Sequence, residues 1–158
     1  MITINTDPAS PDFNSYANVD DLTRFAASRG YDIPSDSDEC GTLLFQALDY
    51  LNGLNWIGAR AEKGQHLPWP RRHVLIDDEM LDPHTVPSQV IQAQCRLAVE
   101  AQDGALDASF TKGVTTETAG KVSVQFADDA SGELYFPWLD GVLRGLLSVA
   151  INTFAMRV

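Results

Sequence analysis

The residue types with the widest chemical reach cluster in the middle of the chain. His66, His73 and His84, together with Asp77, Asp78 and Glu79, offer the imidazole and carboxylate groups that bind divalent metals. Their spacings match none of the short ligand pairs that define a site, so no metal is expected, and "IDDE" (76–79) reads as a solvated turn. "QHLPWPRRHV" (65–74) sets an indole between two prolines and follows it with two arginines. Single-strand binders use this pairing, since bases stack on the ring while cations track phosphates. With Arg60 and Lys63 upstream, Trp69, Arg71 and Arg72 make a five-residue candidate contact set. The structural alternative is that Pro68 and Pro70 hold the backbone extended and Trp69 plugs the edge of a core. Arg71 and Arg72 would then reach a carboxylate in the chain or on a neighbouring subunit. No glycine-framed serine, cysteine signature, P-loop or dinucleotide fingerprint is present, so neither an enzyme nor a cofactor is expected.

These residues must be positioned by a chain of 158 residues, 44% hydrophobic, which is enough for one sizeable core. No apolar run approaches the roughly 20 residues of a membrane helix, and "MITINTDPASPDF" lacks a basic segment and an apolar signal core. A soluble, unexported chain with no membrane partner is expected. Cys40 and Cys95 are far apart and read as two reduced, partly buried thiols. The net charge is −11 and the pI about 4.4. Split into residues 1–40, 41–100 and 101–158, no part carries more bases than acids. Such a field opposes nucleic-acid binding, whose affinity comes chiefly from Lys and Arg.

The element pattern is mainly helical. "NVDDLTRFAASRG" has Asn18 as N-cap, Asp20 and Asp21 in the first turn and Gly30 as terminator. A second helix, 38–55, is capped by Asp36 or Ser37 and repeats Leu43, Leu44, Ala47, Leu48 and Leu51 at helical spacing. Residues 57–87 hold four prolines and little periodicity, which predicts an ordered loop with Trp56, Leu67, Trp69, Val74, Leu75 and Ile76 packed. A third helix opens at Pro87 to Gln89 and ends at Asp103-Gly104, with Val90, Ile91, Gln94, Leu97, Ala98 and Ala101 on one face. Alternation at Val122, Val124 and Phe126 predicts hairpin structure over about 114–136. A fourth helix starts at Pro137 and runs through Leu147, followed by an extended arm.

The expected fold class is therefore mainly α (α+β): a small bundle of three to four helices with a small antiparallel β-hairpin element and extended terminal arms. All of it falls in one domain, 1–158, with an N-terminal arm at 1–15, a helical core at 16–148 and a C-terminal arm at 149–158.

Five stretches in order, "NSYANVDDLTRFAASRG", "ALDYLNG", "LPWPRRHV", "VPSQVIQAQCRLAVEA" and "KVSVQFADDASGELYFPWLDGVLRGLL", resemble a family of small tailed-phage proteins. These are often labelled DnaT-like single-stranded-DNA-binding proteins, and they look like head-tail connector or adaptor proteins of the neck. Trp69, Pro70 and Arg71 match the family's loop motif, and Pro137 with Leu143 to Leu147 its C-terminal helix. The connector resemblance implies a non-enzymatic structural protein of the virion, present in the host cytoplasm during assembly. It would form a homo-oligomeric ring, usually dodecameric, between the portal protein and tail-side neck or tail-completion proteins, and DNA would pass its channel without specific binding. The acidic balance favours this reading. Trp69, Arg71, Arg72, Trp138, Leu143, Leu147 and Phe154 are then candidates for the subunit or portal interface. The label implies the alternative, a replication accessory protein that binds single-stranded DNA through Arg60, Lys63, Trp69, Arg71 and Arg72.

Overall fold

The computed structural model describes residues 1–106 and 136–148. Helix α1 (Val19–Arg29) begins and ends on the side chains its sequence supplies. Asn18 accepts from the Asp21 backbone N–H at 2.8 Å, and the Asp21 carboxylate accepts from the Asn18 N–H at 3.0 Å. This reciprocal pair caps the helix start, and Gly30 closes the end at φ 73°. Helix α2 (Ser37–Asn52) is capped by Asp36 and stops at Gly53, before the expected residue 55. Helix α3 (Ser88–Ala101) starts directly after Pro87.

Helices α2 and α3 pack side by side and α1 lies against both. Leu44, Ala47 and Leu51 of α2 and Val90, Ala93, Leu97 and Ala98 of α3 are fully buried. Burying a leucine of this kind contributes about 1.5–3 kcal/mol, so the α2 and α3 faces carry much of the fold's stability. Inside this apolar layer sits the polar side chain of Gln94, with no solvent exposure. Its Oε1 accepts from the backbone N–H groups of Tyr16 and Ala17, at 3.1 and 2.9 Å. Its Nε2 donates to Ser15 Oγ and to the Leu44 carbonyl, both at 2.9 Å. One carboxamide thereby ties the segment before α1 to α2 and α3.

That tie continues towards the N-terminus, so the arm at 1–15 is not loose. The Ile2 N–H donates to Asp38 at 3.0 Å, and Asn14 exchanges hydrogen bonds with Asn5 and Thr3. Ile2 also lies on α2 at Gly41, where a Cβ would come within 3.0 Å of its side chain. A glycine inside a helix costs about 1 kcal/mol relative to alanine, and the docked isoleucine explains why one stands there.

Residues 57–87 depart from the expectation of a loop without ladders. Two antiparallel pairs form: β1 (Ala59–Arg60) with β2 (Arg71–Arg72), and β3 (Leu75–Ile76) with β4 (Glu79–Met80). Two-residue strands are too short to show alternation in a sequence. Asp77 and Asp78 make the β3–β4 turn with φ of 53° and 66°, the left-handed geometry a two-residue hairpin needs and aspartate tolerates. Leu75 and Met80 face each other across this hairpin and are exposed, although Leu75 was expected to pack. The β structure expected over 114–136 lies outside the described residues except at Phe136, as does the arm at 149–158.

Helix α4 (Pro137–Val142) is shorter than its apolar pattern suggests. Gly141 and Gly145 weaken the helix, and Gly145 takes φ 85° and turns the chain away. Leu147 then bridges Trp56, with the Ile57 N–H donating to Leu146 at 3.0 Å and the Ser148 N–H to Asn55 at 2.8 Å. The segment after α4 thus becomes a short extended partner of residues 55–57. Among the described residues, no helix is long and apolar enough to cross a membrane.

Cys40 and Cys95 are both free and buried. Burial, followed by the nearby Asp21 charge, pushes the Cys95 thiol from 9.0 up to about 12. Because the folded state favours the protonated thiol, this contribution is complete below about pH 9 and is lost as pH rises to about 12. Iodoacetamide at pH 8 is expected to label Cys95 in denaturant but not in the native protein, as mass spectrometry would read. Gln94→Leu, which strips the Tyr16 and Ala17 amides of their acceptor, is expected to cost about 2–4 kcal/mol in a urea titration. A loss under about 0.5 kcal/mol would remove Gln94 from this role.

Candidate nucleic-acid interface

The sequence-predicted contact residues do not form one surface. Trp69 has no solvent exposure, so its ring cannot stack on a base in this fold. Its backbone N–H donates to the Tyr16 hydroxyl at 3.2 Å, and the Trp69-Pro70 peptide is cis. Burial raises the pKa of Tyr16, so the hydroxyl stays protonated. Tyr16 is adjacent to the backbone that Gln94 holds, so the buried amide also supports the Trp69 loop.

The register of the first ladder sorts the cations. Arg60 stands directly opposite Arg71, and Ala59 opposite Arg72. Side chains alternate along a strand, so Arg72 points to the face opposite Arg60 and Arg71. Lys63 is exposed in the connection between β1 and β2. Arg71 is fixed by carbonyl oxygens: Nε donates to Ile57 at 2.6 Å, Nη1 to Pro68 at 3.1 Å and Nη2 to Gly58 at 3.0 Å. Burial, then repulsion from Arg60, lowers its pKa, yet a guanidinium keeps its charge throughout the physiological range. Neither arginine is ion-paired to a carboxylate among the described residues. Like charges directly opposite each other destabilise a ladder, and 22 acidic side chains were available to neutralise this pair.

Beside the pair is Trp56, half-buried, with its indole N–H donated to the Leu51 carbonyl at 3.0 Å. Its ring meets Trp69 edge-on at 5.5 Å and 84°. An open cleft of about 650 Å³ is lined by Asn52, Asn55, Trp56, Arg60, Arg71 and Ser148, with Leu54 and Pro68. It brings together an accessible aromatic ring, two cations and neutral hydrogen-bonding groups. Three of its residues, Asn52, Asn55 and Ser148, carried no sequence signal, since they meet only when the chain after α4 pairs with residues 55–57. Trp56 was legible only as an apolar residue that had to pack somewhere.

The other candidates fall elsewhere. Leu143 is buried in the core, and Leu147 and Trp138 are half-buried. Trp138 lies under the Arg96 guanidinium at 4.5 Å. Leu143 therefore offers no apolar surface to a neighbour or portal, and Phe154 lies outside the described residues. His66, His73 and His84 are exposed, and among the described residues no group of three or more His, Cys, Asp or Glu is placed to hold a metal.

The described residues thus form a small, mainly helical α+β fold with a cleft that places an aromatic ring beside two cations. The full chain, residues 1–158, matches the family described as "Putative DnaT-like ssDNA binding protein", and it belongs to that family. No curated protein and no solved structure matches it. The family match overturns the connector reading, with its portal and tail-side partners, its dodecameric ring and its DNA channel without specific binding. Net charge sums over the chain, whereas the arginine pair is a local arrangement that such a sum does not register.

Gly58 lies where the chain entering β1 passes close to the end of β2. It has φ 75°, and a Cβ there would lie 2.5 Å from the Arg72 carbonyl and 2.9 Å from Val74. Gly58→Ala is expected to cost about 2 kcal/mol or more, from left-handed strain plus the clash. Gly64→Ala, at φ 79° with nothing within 4 Å, should cost only the strain, about 1–2 kcal/mol. Urea denaturation of the two variants checks the difference.

Proposed function

We propose that this chain binds single-stranded DNA through the cleft between Trp56 and the Arg60–Arg71 pair, and acts by binding alone without covalent chemistry. The observation that carries the reading is the unneutralised arginine pair, directly opposed across β1 and β2 and flanked by a half-buried indole. A phosphate seated against Arg60 and Arg71 would turn their mutual repulsion into attraction for one ligand. A base on Trp56 would add stacking of about 1–3 kcal/mol. Family membership supports the same class of ligand. Relative to the five-residue set, the contact assignment moves from Trp69 to Trp56 and keeps Arg60 and Arg71, while Arg72 lies on the far face.

The fixed position of Arg71 matters as much as its charge. Three carbonyls hold its planar fork, so the cation is placed before ligand arrives and little rotamer entropy is lost on binding. Arg60, exposed, supplies the adaptable second cation.

Anisotropy of a fluorescein-labelled oligothymidylate at 50 mM salt tests the reading. The wild-type protein is expected to bind, and Arg60→Glu to weaken binding by about tenfold or more, the loss of one charge-assisted contact. Arg72→Glu should weaken it by less than about threefold. No binding by the wild type at this salt, or equal losses in the two variants, contradicts the assignment.

A further inference from the structure

We infer that the cleft is a seat for a single unstacked nucleotide, not one stretch of a track along a strand. This rests on the single-strand reading above and adds the size and chemistry of the bound unit. At about 650 Å³ the cleft is within the range of small-molecule sites, about 300–1,000 Å³. It offers one aromatic ring, Trp56, and one cation pair, Arg60 with Arg71. A track needs the aromatic-and-cation unit repeated along the backbone path. Among the described residues the repeat is missing from the cleft: Trp69 is enclosed, Arg72 faces away, and the remaining lining residues Leu54 and Pro68 are apolar.

The polar lining suits a base edge. Among the described residues the carboxamides of Asn52 and Asn55 make no hydrogen bond, so each keeps a free acceptor and a free NH₂. A carboxamide is complementary to the paired donor and acceptor on a nucleobase edge. The Watson–Crick edge of a base, and the base face that Trp56 would stack on, are available only when the base is unpaired and unstacked, which favours a single strand over a duplex. Ser148 adds a hydroxyl at the rim. A base with one face on Trp56, its edge at Asn52 and Asn55 and its phosphate at Arg60 and Arg71 uses each functional part of the cleft.

Such a seat engages one or two phosphates, so the logarithm of affinity should fall with the logarithm of salt at a slope of about −0.7 to −1.4. Oligothymidylates of increasing length should gain affinity only in proportion to the number of positions they offer, about fourfold from 3 to 12 nucleotides.

The experiment is a competition against the labelled oligothymidylate, with dTMP, dAMP, thymidine and inorganic phosphate as competitors, using the full chain. The expected result is displacement by dTMP or dAMP, with thymidine and phosphate at least about tenfold weaker, since each supplies only half of the recognition. Trp56→Leu and Arg60→Glu should each lose mononucleotide binding, while Trp56→Phe should keep most of it. Far-UV circular dichroism verifies that the variants are folded. If the oligonucleotide binds but neither mononucleotide displaces it at millimolar concentration, or if the salt slope is steeper than about −3, the one-nucleotide seat is wrong while single-strand binding stands. If phosphate competes as well as dTMP, the site recognises an anion alone and the base-seat inference falls. If the wild type does not bind the oligonucleotide, the functional reading falls and this inference with it.

Discussion

The fold depends on a single buried carboxamide. Gln94 lies in the layer where α2 meets α3, and its four hydrogen bonds all go to partners distant in sequence. An unpaired amide there would be costly, so the segment 15–17 and the Leu44 carbonyl have one arrangement that satisfies it. Apolar packing could hold the helices together in several registers. The carboxamide selects one.

The cleft follows from that selection. With residues 15–17 fixed, the Tyr16 hydroxyl meets the backbone of Trp69, and Trp69 in turn sits edge-on to Trp56. Arg71 is then close enough to three carbonyls on both sides of the β1–β2 ladder to be held rigidly, while Gly58 lets the two strands approach. Each link is a contact between buried or half-buried groups, ending in two cations on an open surface. Buried order stabilises a surface arrangement that is unfavourable by itself.

Local grammar was legible in the sequence, and distant pairing was not. Asn18, Asp21 and Gly30 define α1 because a helix start and stop are written in neighbouring residues. Gln94 could be placed on the buried face of α3 by its period, but its partners lie about 50 to 79 residues away and leave no periodic trace. The tail of α4 was overread because apolar spacing outweighed the glycines, and a glycine at φ 85° instead sends Leu147 to Trp56. "LPWPRR" drew notice as an aromatic-cation motif, yet its indole is enclosed and the ring that lines the cleft is Trp56. The opposition of Arg60 and Arg71 is a matter of register between two strands of two residues, too short to leave a pattern. The overall acidity suggested that DNA would be repelled, a conclusion that whole-chain charge cannot carry for a site smaller than a Debye length.

The most direct test of the central claim is amide and indole chemical-shift mapping of ¹⁵N-labelled protein as single-stranded oligonucleotide is added at low salt. The largest changes are expected at the Trp56 indole N–H and at residues 52–60 and 71, with the Trp69 indole moving less and the β3–β4 hairpin unaffected. Shifts centred on another surface, or none at all, would contradict it.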